Sequence, residues 1–555
     1  ATIGIDGIEL FIFDNSEGIN GLHKIYVNDN STSGDVFTTA VGDDANPGTK
    51  ASPVATINYA LSLAQAGDTI YVDAGTYPME NLTINKSITI LGPNYNISPN
   101  NAANKTQYNS GRNAEAIIPN ASFVVGADLI TIKGLRFSLD KAIILSADYS
   151  HLKLDKNYFD VSLTTSSVNL VAVTTSPIVA FDFSITDNRF ERTDLLAGIS
   201  INIGAVKEVF IDNNVFIESP ASGNPNRGTG LRTVSSLNVE NIVFSNNYLK
   251  KLGTGVNNFL VQNFTVNNNI FDSCSAGYNH LPFNLVSNLV HVSANTFINS
   301  RTGRSILVRG GSAGGGVSNV TINNNIINQE VDGTNGYLGI LQLDFGATGN
   351  FGSVAVLNNK INISGDYANT FANPNCGIFL MGKQSNTTVS ANELNFSAIN
   401  IKNSTFNILP PVPTGIYINT DNGAGGIPAN GVINITNNKI NGFKNSIGFY
   451  DPTATGSTSF VGYGMLTTGA TVNINNNSFT NDSMSIDNGA ISQDVFATCN
   501  WYGSTDAEFI TSKLSTETVV FMPWLVNGTD NEPLSTGFQP QAGSCTGRPT
   551  RLYVN

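Results

Sequence analysis

Phe264-Thr265-Val266-Asn267-Asn268-Asn269-Ile270-Phe271 is the stretch that decides the fold of this chain. Its first half alternates apolar and polar residues, the period of a strand with one buried face. Its second half is an Asn, any residue, and a large apolar side chain. The same alternation returns at Val432-Ile433-Asn434-Ile435-Thr436, two residues before Asn438-Lys439-Ile440. Outward from there, the Asn-x-Phe/Leu/Ile string recurs at Asn157, Asn188, Asn214, Asn247, Asn269, Asn295, Asn325, Asn359, Asn392, Asn438 and Asn477, at intervals of 22 to 46 residues. A period of that size with insertions marks stacked repeats rather than several separate domains.

Strands of three to five residues, Asn- and Gly-rich turns and this period have one best solution. Each repeat is a coil of an all-β, right-handed, single-stranded parallel β-helix, a solenoid whose inward Val, Ile, Leu and Phe stack on those of the next coil. Coils lie about 4.8 Å apart. Asn tolerates the left-handed region at a tight turn, so each repeat Asn is expected to take that conformation itself. In register, each amide can also donate to the amide oxygen of the next coil, as in other stacked β structures. Asn188, Asn214, Asn247, Asn269, Asn295, Asn325, Asn359, Asn438 and Asn477 are assigned to this structural ladder.

Composition agrees with a scaffold. Of 555 residues, 76 are Asn and only 12% are Asp, Glu, Lys or Arg, about half the share usual in globular proteins. The net charge of -13 argues against nucleic acid as a partner. No apolar run approaches the ~18 residues of a membrane span, so no membrane insertion is expected.

The two ends leave the repeat. Pro53 to Ala66 reads as a short amphipathic helix, with Ile57, Ala60, Leu61 and Ala64 on one face. Gly67-Asp68-Thr69-Ile70-Tyr71-Val72 and Leu82 to Gly92 supply short strands after it. Such a helix plugs the open end of a coil stack. At the other end, Cys499-Asn500-Trp501-Tyr502-Gly503 opens a segment holding both tryptophans, Trp501 and Trp524, which reads as a hydrophobic cap. Cys499 and Cys545 flank it and can close a disulfide in an oxidising compartment. Cys274 and Cys376 lie too many coils apart to pair and read as buried thiols. The expected organisation is a leader or inter-module segment over 1–23 and one β-helix domain over 24–555. Within that domain the N-cap spans about 25–80, the coils about 81–498 and the C-cap about 499–545. Lys24-Ile25-Tyr26-Val27-Asn28 is echoed by Arg551-Leu552-Tyr553-Val554-Asn555, so 551–555 is read as the start of a next module.

The run from Pro53 through Ala66-Gly67-Asp68-Thr69-Ile70-Tyr71-Val72 to Gly75-Thr76-Tyr77, followed by the Asn-x-Phe coils, resembles the pectin-lyase-like superfamily of right-handed β-helices. It is similar above all to secreted surface β-helix modules of Bacteroidetes-type bacteria. The resemblance covers roughly 24–545. It implies a secreted or cell-surface protein and, as substrate or partner, a polysaccharide lying along one parallel sheet. That superfold hosts lyases, hydrolases, esterases and adhesins alike.

The strands expected to form that sheet are 305–309, 339–344, 377–381, 415–419 and 446–451. With Ile, Val and Leu inward, alternation turns Arg309, Phe379, Tyr417, Asn419 and Tyr450 outward, while Asp344, Lys383, Asp421 and Asp451 fall at the following turn. Aromatic faces stack on sugars and Asp or Asn bind hydroxyls, so Arg309, Phe379, Tyr417, Asn419, Tyr450 and Lys383 form a candidate glycan site. Outward aromatics also serve as plain cross-strand pairs, and turn Asp residues as caps. Hydrolysis needs two carboxylates about 5–9.5 Å apart, which makes Asp421 and Asp451, with Asp344, the catalytic candidates. β-Elimination needs a cation and a base, and Arg309 and Lys383 stand alone for that. A second basic group, Arg227, Arg232, Arg301 and Arg304, can grip a uronate or sulfate. His23, His151, His280 and His291 lack metal-ligand spacing. The sequence assigns no cofactor with certainty. Ca²⁺ is conceivable at acidic turns such as Asp43-Asp44. Two functions follow: a glycan-interacting module of a bacterial adhesin or surface fibre, or a secreted polysaccharide lyase or glycoside hydrolase working along the sheet. Neighbouring modules of the same chain would be further partners.

Overall fold

A computed structural model describes residues 2–5, 8–11 and 23–549, apart from 139–141, 146–148, 162–168, 174–180, 193–197, 219–227, 235–238, 283–285, 301–303, 311–315, 332–338, 345–349, 367–375, 382–383, 401–411, 420–430, 450–470, 489–493 and 516–517. The chain is a right-handed parallel β-helix. It divides into two compact units, Ala1–Ser222 and Gly223–Asn555. From Thr69 to Asp487 each coil contributes one strand to each of three parallel sheets, the first, second and third faces. The ladder Asn stands at the corner between the first and the second.

In the first unit Thr2–Ile5 and Ile8–Phe11 pair antiparallel. The coils begin where Lys24–Val27 pairs in parallel with Thr69–Val72, Lys24 opposite Thr69. Over that opening lies the helix Ile57–Leu63, shorter than the sequence pattern. The Thr56 side chain starts it by accepting from the Tyr59 N–H at 3.1 Å, and Ile57, Ala60 and Leu61 are buried. At its end Lys86 Nζ donates to the carbonyls of Leu61 at 2.9 Å and Ala64 at 2.6 Å, satisfying C-terminal carbonyls the helix cannot reach. The buried Asp73 carboxylate ties the 36–38 turn to the stack, accepting from the N–H groups of Val36, Phe37 and Thr38 at 2.7–2.9 Å. The Asn-rich 93–115 segment folds along later coils. Ser98 Oγ donates to Asp187 at 2.6 Å, and the buried Arg189 guanidinium donates to the carbonyls of Lys105, Thr106 and Gln107.

In the second unit the first face runs from Val239–Ser245 and Val261–Asn267 to Val495–Phe496 and Val519–Val520. The third runs from Thr229–Thr233 and Thr254–Asn258 to Met484–Asp487. Asn500 is a further rung, and Trp501 N–H donates to Asn477 O at 2.8 Å. Beyond it Trp524–Leu525 pairs antiparallel with Cys545–Gly547, and a Cys499–Cys545 disulfide with Cα atoms 5.1 Å apart fastens the cap. Cys274 and Cys376 are buried free thiols. The cap also reaches back over earlier coils: Phe538 N–H donates to Asn437 O at 2.7 Å. Gly537 permits this contact, because at φ +92° a Cβ there would lie 2.5 Å from Ala391 Cα.

The repeat asparagines form continuous rows of side-chain amides. In the first unit Asn157 Nδ2 donates to Asn188 Oδ1 at 3.2 Å, and Asn188 Nδ2 to Asn214 Oδ1 at 3.0 Å. In the second the row passes from Asn247 through Asn269, Asn295, Asn325, Asn359, Asn392, Asn438 and Asn477 to Asn500, each step 2.9–3.0 Å. All are buried. One detail differs from expectation. The left-handed residue is not the ladder Asn but the one before it: Lys156, Asp187, Asn213, Asn246, Asn268, Ala294, Asn324, Asn358, Ala391, Asn437, Asn476 and Cys499 all have φ between 49° and 60°. The turn is made one residue early, which swings the next amide inward. Where the row begins, Gly134 takes that conformation at φ 70°, and Leu135 N–H donates to Asn157 Oδ1 at 3.1 Å. Two residues after each Asn an apolar side chain enters the core. Phe159 and Phe190 stack with centroids 4.7 Å apart, Phe190 and Phe216 at 4.8 Å, Phe271 and Phe297 at 4.6 Å.

Candidate functional site

The third face of the second unit starts from a close approach. Its strands enter with Gly255, Gly277, Gly377 or Gly415. A Cβ on Gly277 would lie 2.6 Å from the Phe297 ring, and one on Gly415 2.6 Å from Ile440 Cγ2. Glycine therefore lets the strand turn the corner against the core stack of the second face. The next residue points inward: Val256, Tyr278, Ile306, Ile378 and Ile416 stand in register and are fully or almost fully buried. The residue after that points away from the core.

That outward row reads Arg232, Asn257, Asn279, Leu307, Gln342, Phe379, Tyr417 by successive register. It changes character along its length. Arg232, Asn257 and Asn279 are half-buried. Leu307, Gln342, Phe379 and Tyr417 are at most 2% exposed. The expectation that Phe379 and Tyr417 form an outer glycan platform is thereby corrected. Their parity is opposite to that of Ile378 and Leu380, but this stretch of the face is buried. The two rings pack on each other with centroids 5.3 Å apart, beside Cys376. Hiding a large apolar side chain is worth about 1.5–3 kcal/mol, and alternation alone tells which side of a strand a residue takes, not whether that side is wet.

Of the other sequence candidates, Arg309 is exposed at the end of Arg304–Arg309, opposite Asp344 in register. Asp344 and Asn419 end their own strands, Gly339–Asp344 and Thr414–Asn419. Lys383, Asp421, Tyr450 and Asp451 lie outside the described residues, as do Arg227 and Arg301. Asp44 spends its carboxylate on the N–H groups of Ala55 and Thr56, both at 2.9 Å, and on Thr56 Oγ1 at 2.8 Å. Among the described residues no group of three His, Cys, Asp or Glu is placed to hold a metal ion.

What the structure does bring together is Arg232, Asn257 and Asn279 on adjacent strands. The Arg232 guanidinium carbon sits 5.5 Å above the Phe259 ring and makes no ion pair among the described residues. The Oδ1 atoms of Asn257 and Asn279 make no hydrogen bond. A shielded acceptor left unpaired costs about 1–3 kcal/mol, so the row combines a half-buried guanidinium with two shielded acceptors that no group among the described residues satisfies. Arg232 is already a sequence candidate for gripping a uronate or sulfate, and the signal for Asn257 and Asn279 is their alternation with Val256 and Tyr278.

Behind the row, inside the coils, lies a polar cluster that the sequence did not reveal. Asn258 Nδ2 donates to Tyr278 Oη at 3.2 Å, and His280 Nε2 meets Ser287 Oγ at 3.1 Å. Burial pushes His280 down to about 3 and holds the Tyr278 hydroxyl well above its usual range. Both are neutral, and both are sealed from solvent. Burial likewise keeps Cys376 a thiol.

Comparison with known proteins agrees on the fold. A family described as protein of unknown function (DUF1565), a family of right-handed parallel β-helices, matches residues 40–264. Among solved structures, a rhamnogalacturonan lyase is similar at 15% identity and a TM-score of 0.21, covering 73% of this chain and 84% of the lyase. A mutant PL6 family alginate lyase is similar at 12% identity and a TM-score of 0.17, covering 86% of this chain and 98% of the lyase. No curated protein matches. At those TM-scores the structural likenesses say nothing about activity.

Proposed function

We propose that this chain is an extracellular module of a bacterial adhesin or surface fibre, and that it holds a polysaccharide on the third face of its second unit. The reading is carried by the Arg232–Asn257–Asn279 row. It presents one guanidinium without an ion pair among the described residues beside two half-buried amides, spaced one strand apart at about 4.8 Å. An arginine fork pairs with a sugar carboxylate or sulfate, and Asn amides bond hydroxyls through donor and acceptor alike. This chemistry holds a chain in place without needing to break it. The net charge of -13 directs the proposal to a binder with one local cation rather than a broad basic groove.

Affinity electrophoresis in gels containing polygalacturonate, alginate or a sulfated glycan tests it. Retardation of the wild-type chain by one of these, reduced at least fivefold in Arg232→Ala and in Asn257→Ala/Asn279→Ala, is the expected result. Wild-type mobility unchanged in all three would overturn it. So would release of reducing ends or of 235 nm absorbance at enzymatic rates, which would establish the lyase or hydrolase alternative.

A further inference from the structure

The first face of the second unit is set apart by its register and its side chains. Eight of its strands, from Val239–Ser245 to Thr471–Asn475, stand in unbroken register. Three outward positions recur in every strand, giving three straight columns, and the longer strands add a fourth ahead of them. The middle one includes Thr265, His291, Thr321, Thr388, Asn434 and Asn473. None of the outward positions in the three columns is Asp, Glu, Lys or Arg; they are mostly Asn, Ser and Thr, with a few aliphatic residues and His291, and Glu240, one place ahead of the first column, is the one such charged residue in these eight strands. The neighbouring second face shows that charge is tolerated at such positions, since it carries the Lys250–Asp272 and Lys360–Glu393 pairs at 3.2 and 3.5 Å.

The uncharged side chains are also organised. Asn263 Nδ2 donates to Asn241 at 2.8 Å, Ser353 Oγ to Asn319 at 2.8 Å, and Asn473 Nδ2 to Asn434 at 2.9 Å. The result is a grid of hydroxyls and amides about 4.8 Å apart between strands and about 6.6–6.8 Å apart along them. A second observation points outward from it. The middle column runs on from Asn473 to Phe496 and Val520, and Phe496, Val520 and Met522 are 47%, 37% and 46% exposed. An apolar patch rimmed by polar residues marks a contact site.

We infer that this face docks on the surface of a neutral, fibrillar polysaccharide. Each Asn, Ser and Thr of the grid offers both donor and acceptor, and within the three columns no charge must be desolvated on contact. The partner that matches is a repeating, uncharged array of hydroxyls with apolar ring faces, and side-by-side sugar chains present such an array. Phe496 supplies the stacking surface. The site is separate from the Arg232 row and does not depend on it.

Microcrystalline cellulose and chitin powder are the probes, with full-length protein depleted from solution at low and high salt. Retention on at least one solid, insensitive to salt, is expected. Thr321→Lys, Asn434→Lys and Phe496→Ser should each lower it at least tenfold, while Asn362→Lys on the second face should leave it unchanged; unaltered far-UV circular dichroism certifies each variant. No retention by the wild type, or equal retention by all variants, overturns the inference. A concentration-dependent dimer abolished by Thr321→Lys, seen by sedimentation, overturns it in favour of a second copy. Inhibition of ice recrystallisation without binding to either solid overturns it in favour of ice. Arg232→Ala should retain full binding to the solid, which separates this outcome from that of the third face.

Discussion

The Asn row makes a quantitative claim about one side chain. Asn359 Oδ1 accepts from Asn325 N–H at 3.0 Å and from Asn325 Nδ2 at 2.9 Å, while its own Nδ2 donates to Ile322 O and Asn392 Oδ1, both at 2.9 Å. Asn359→Ala removes all four bonds, but not every partner is stranded. Asn325 Nδ2 keeps Val292 O, and Asn392 Oδ1 keeps the Asn359 N–H. The Asn325 N–H is orphaned and the Ile322 carbonyl loses its amide donor. At about 1–3 kcal/mol for each buried group left unpaired, the loss is about 2–6 kcal/mol. Asn362, three residues on, provides the control. It also sits in an Asn column, donating to Asn328 Oδ1 at 2.8 Å, but on the surface, and Asn362→Ala should change stability by no more than about 0.5 kcal/mol. Urea unfolding followed by far-UV circular dichroism compares the two. Stacked coils can unfold in pieces, so hydrogen exchange over residues 322–328 should be followed as well. Equal costs for both variants, or a cost below about 1 kcal/mol for Asn359→Ala, would refute the reasoning that burial is what gives the row its value.

Two further predictions concern the second unit. Cys545→Ser opens the 46-residue loop closed by Cys499 and should cost about 2–5 kcal/mol. In thermal unfolding a reductant should lower the wild-type midpoint to that of the variant, and leave the variant unmoved. His280 is neutral in the folded state because burial lowers it to about 3, against about 6.5 unfolded. Below pH 6.5 the unfolded chain takes up a proton the folded chain refuses, so stability is held above pH 6.5 and declines from there toward pH 3. The urea midpoint of the wild type should fall between pH 7 and pH 5 by more than that of His280→Gln. Parallel curves would show that this imidazole does not set the acid limb.

The fold was legible because a solenoid writes each structural decision many times. One alternating stretch before Asn269 is weak evidence; the same stretch before Asn295, Asn359 and Asn438 is strong. The candidate site was legible only by half. Alternation places Phe379 and Tyr417 opposite Ile378 and Leu380, yet it cannot say that their side is buried, because a strand's period gives the side a residue takes and not what packs over it. The left-handed turn was assigned one residue late for a related reason. Asn is common at both positions, as in Asn268-Asn269 and Asn476-Asn477, and where the turning residue is Lys156, Ala294 or Ala391 it is a poor left-handed former, so local preference points to the Asn after it. The His280 cluster left no periodic trace at all, since it occurs once.

The scarcity of charge follows from the same geometry. In register, a residue repeated in successive coils meets itself about 4.8 Å away. Like charges at that spacing repel by about 1 kcal/mol per neighbour even in water, and the penalty recurs at every coil. A column can escape by alternating sign, as Lys360, Glu393 and Lys439 do on the second face. It can also use a side chain complementary to itself, and a carboxamide, donor and acceptor at once, is the simplest one. Repulsion therefore explains why columns are not uniformly charged, and why Asn is abundant inside and outside the coils. It does not explain a face with no charged residue in any of three columns, because alternation was available one corner away. That excess of neutrality on the first face is what needs a partner, and it is why the solid-surface experiment, rather than the composition, decides what this scaffold holds.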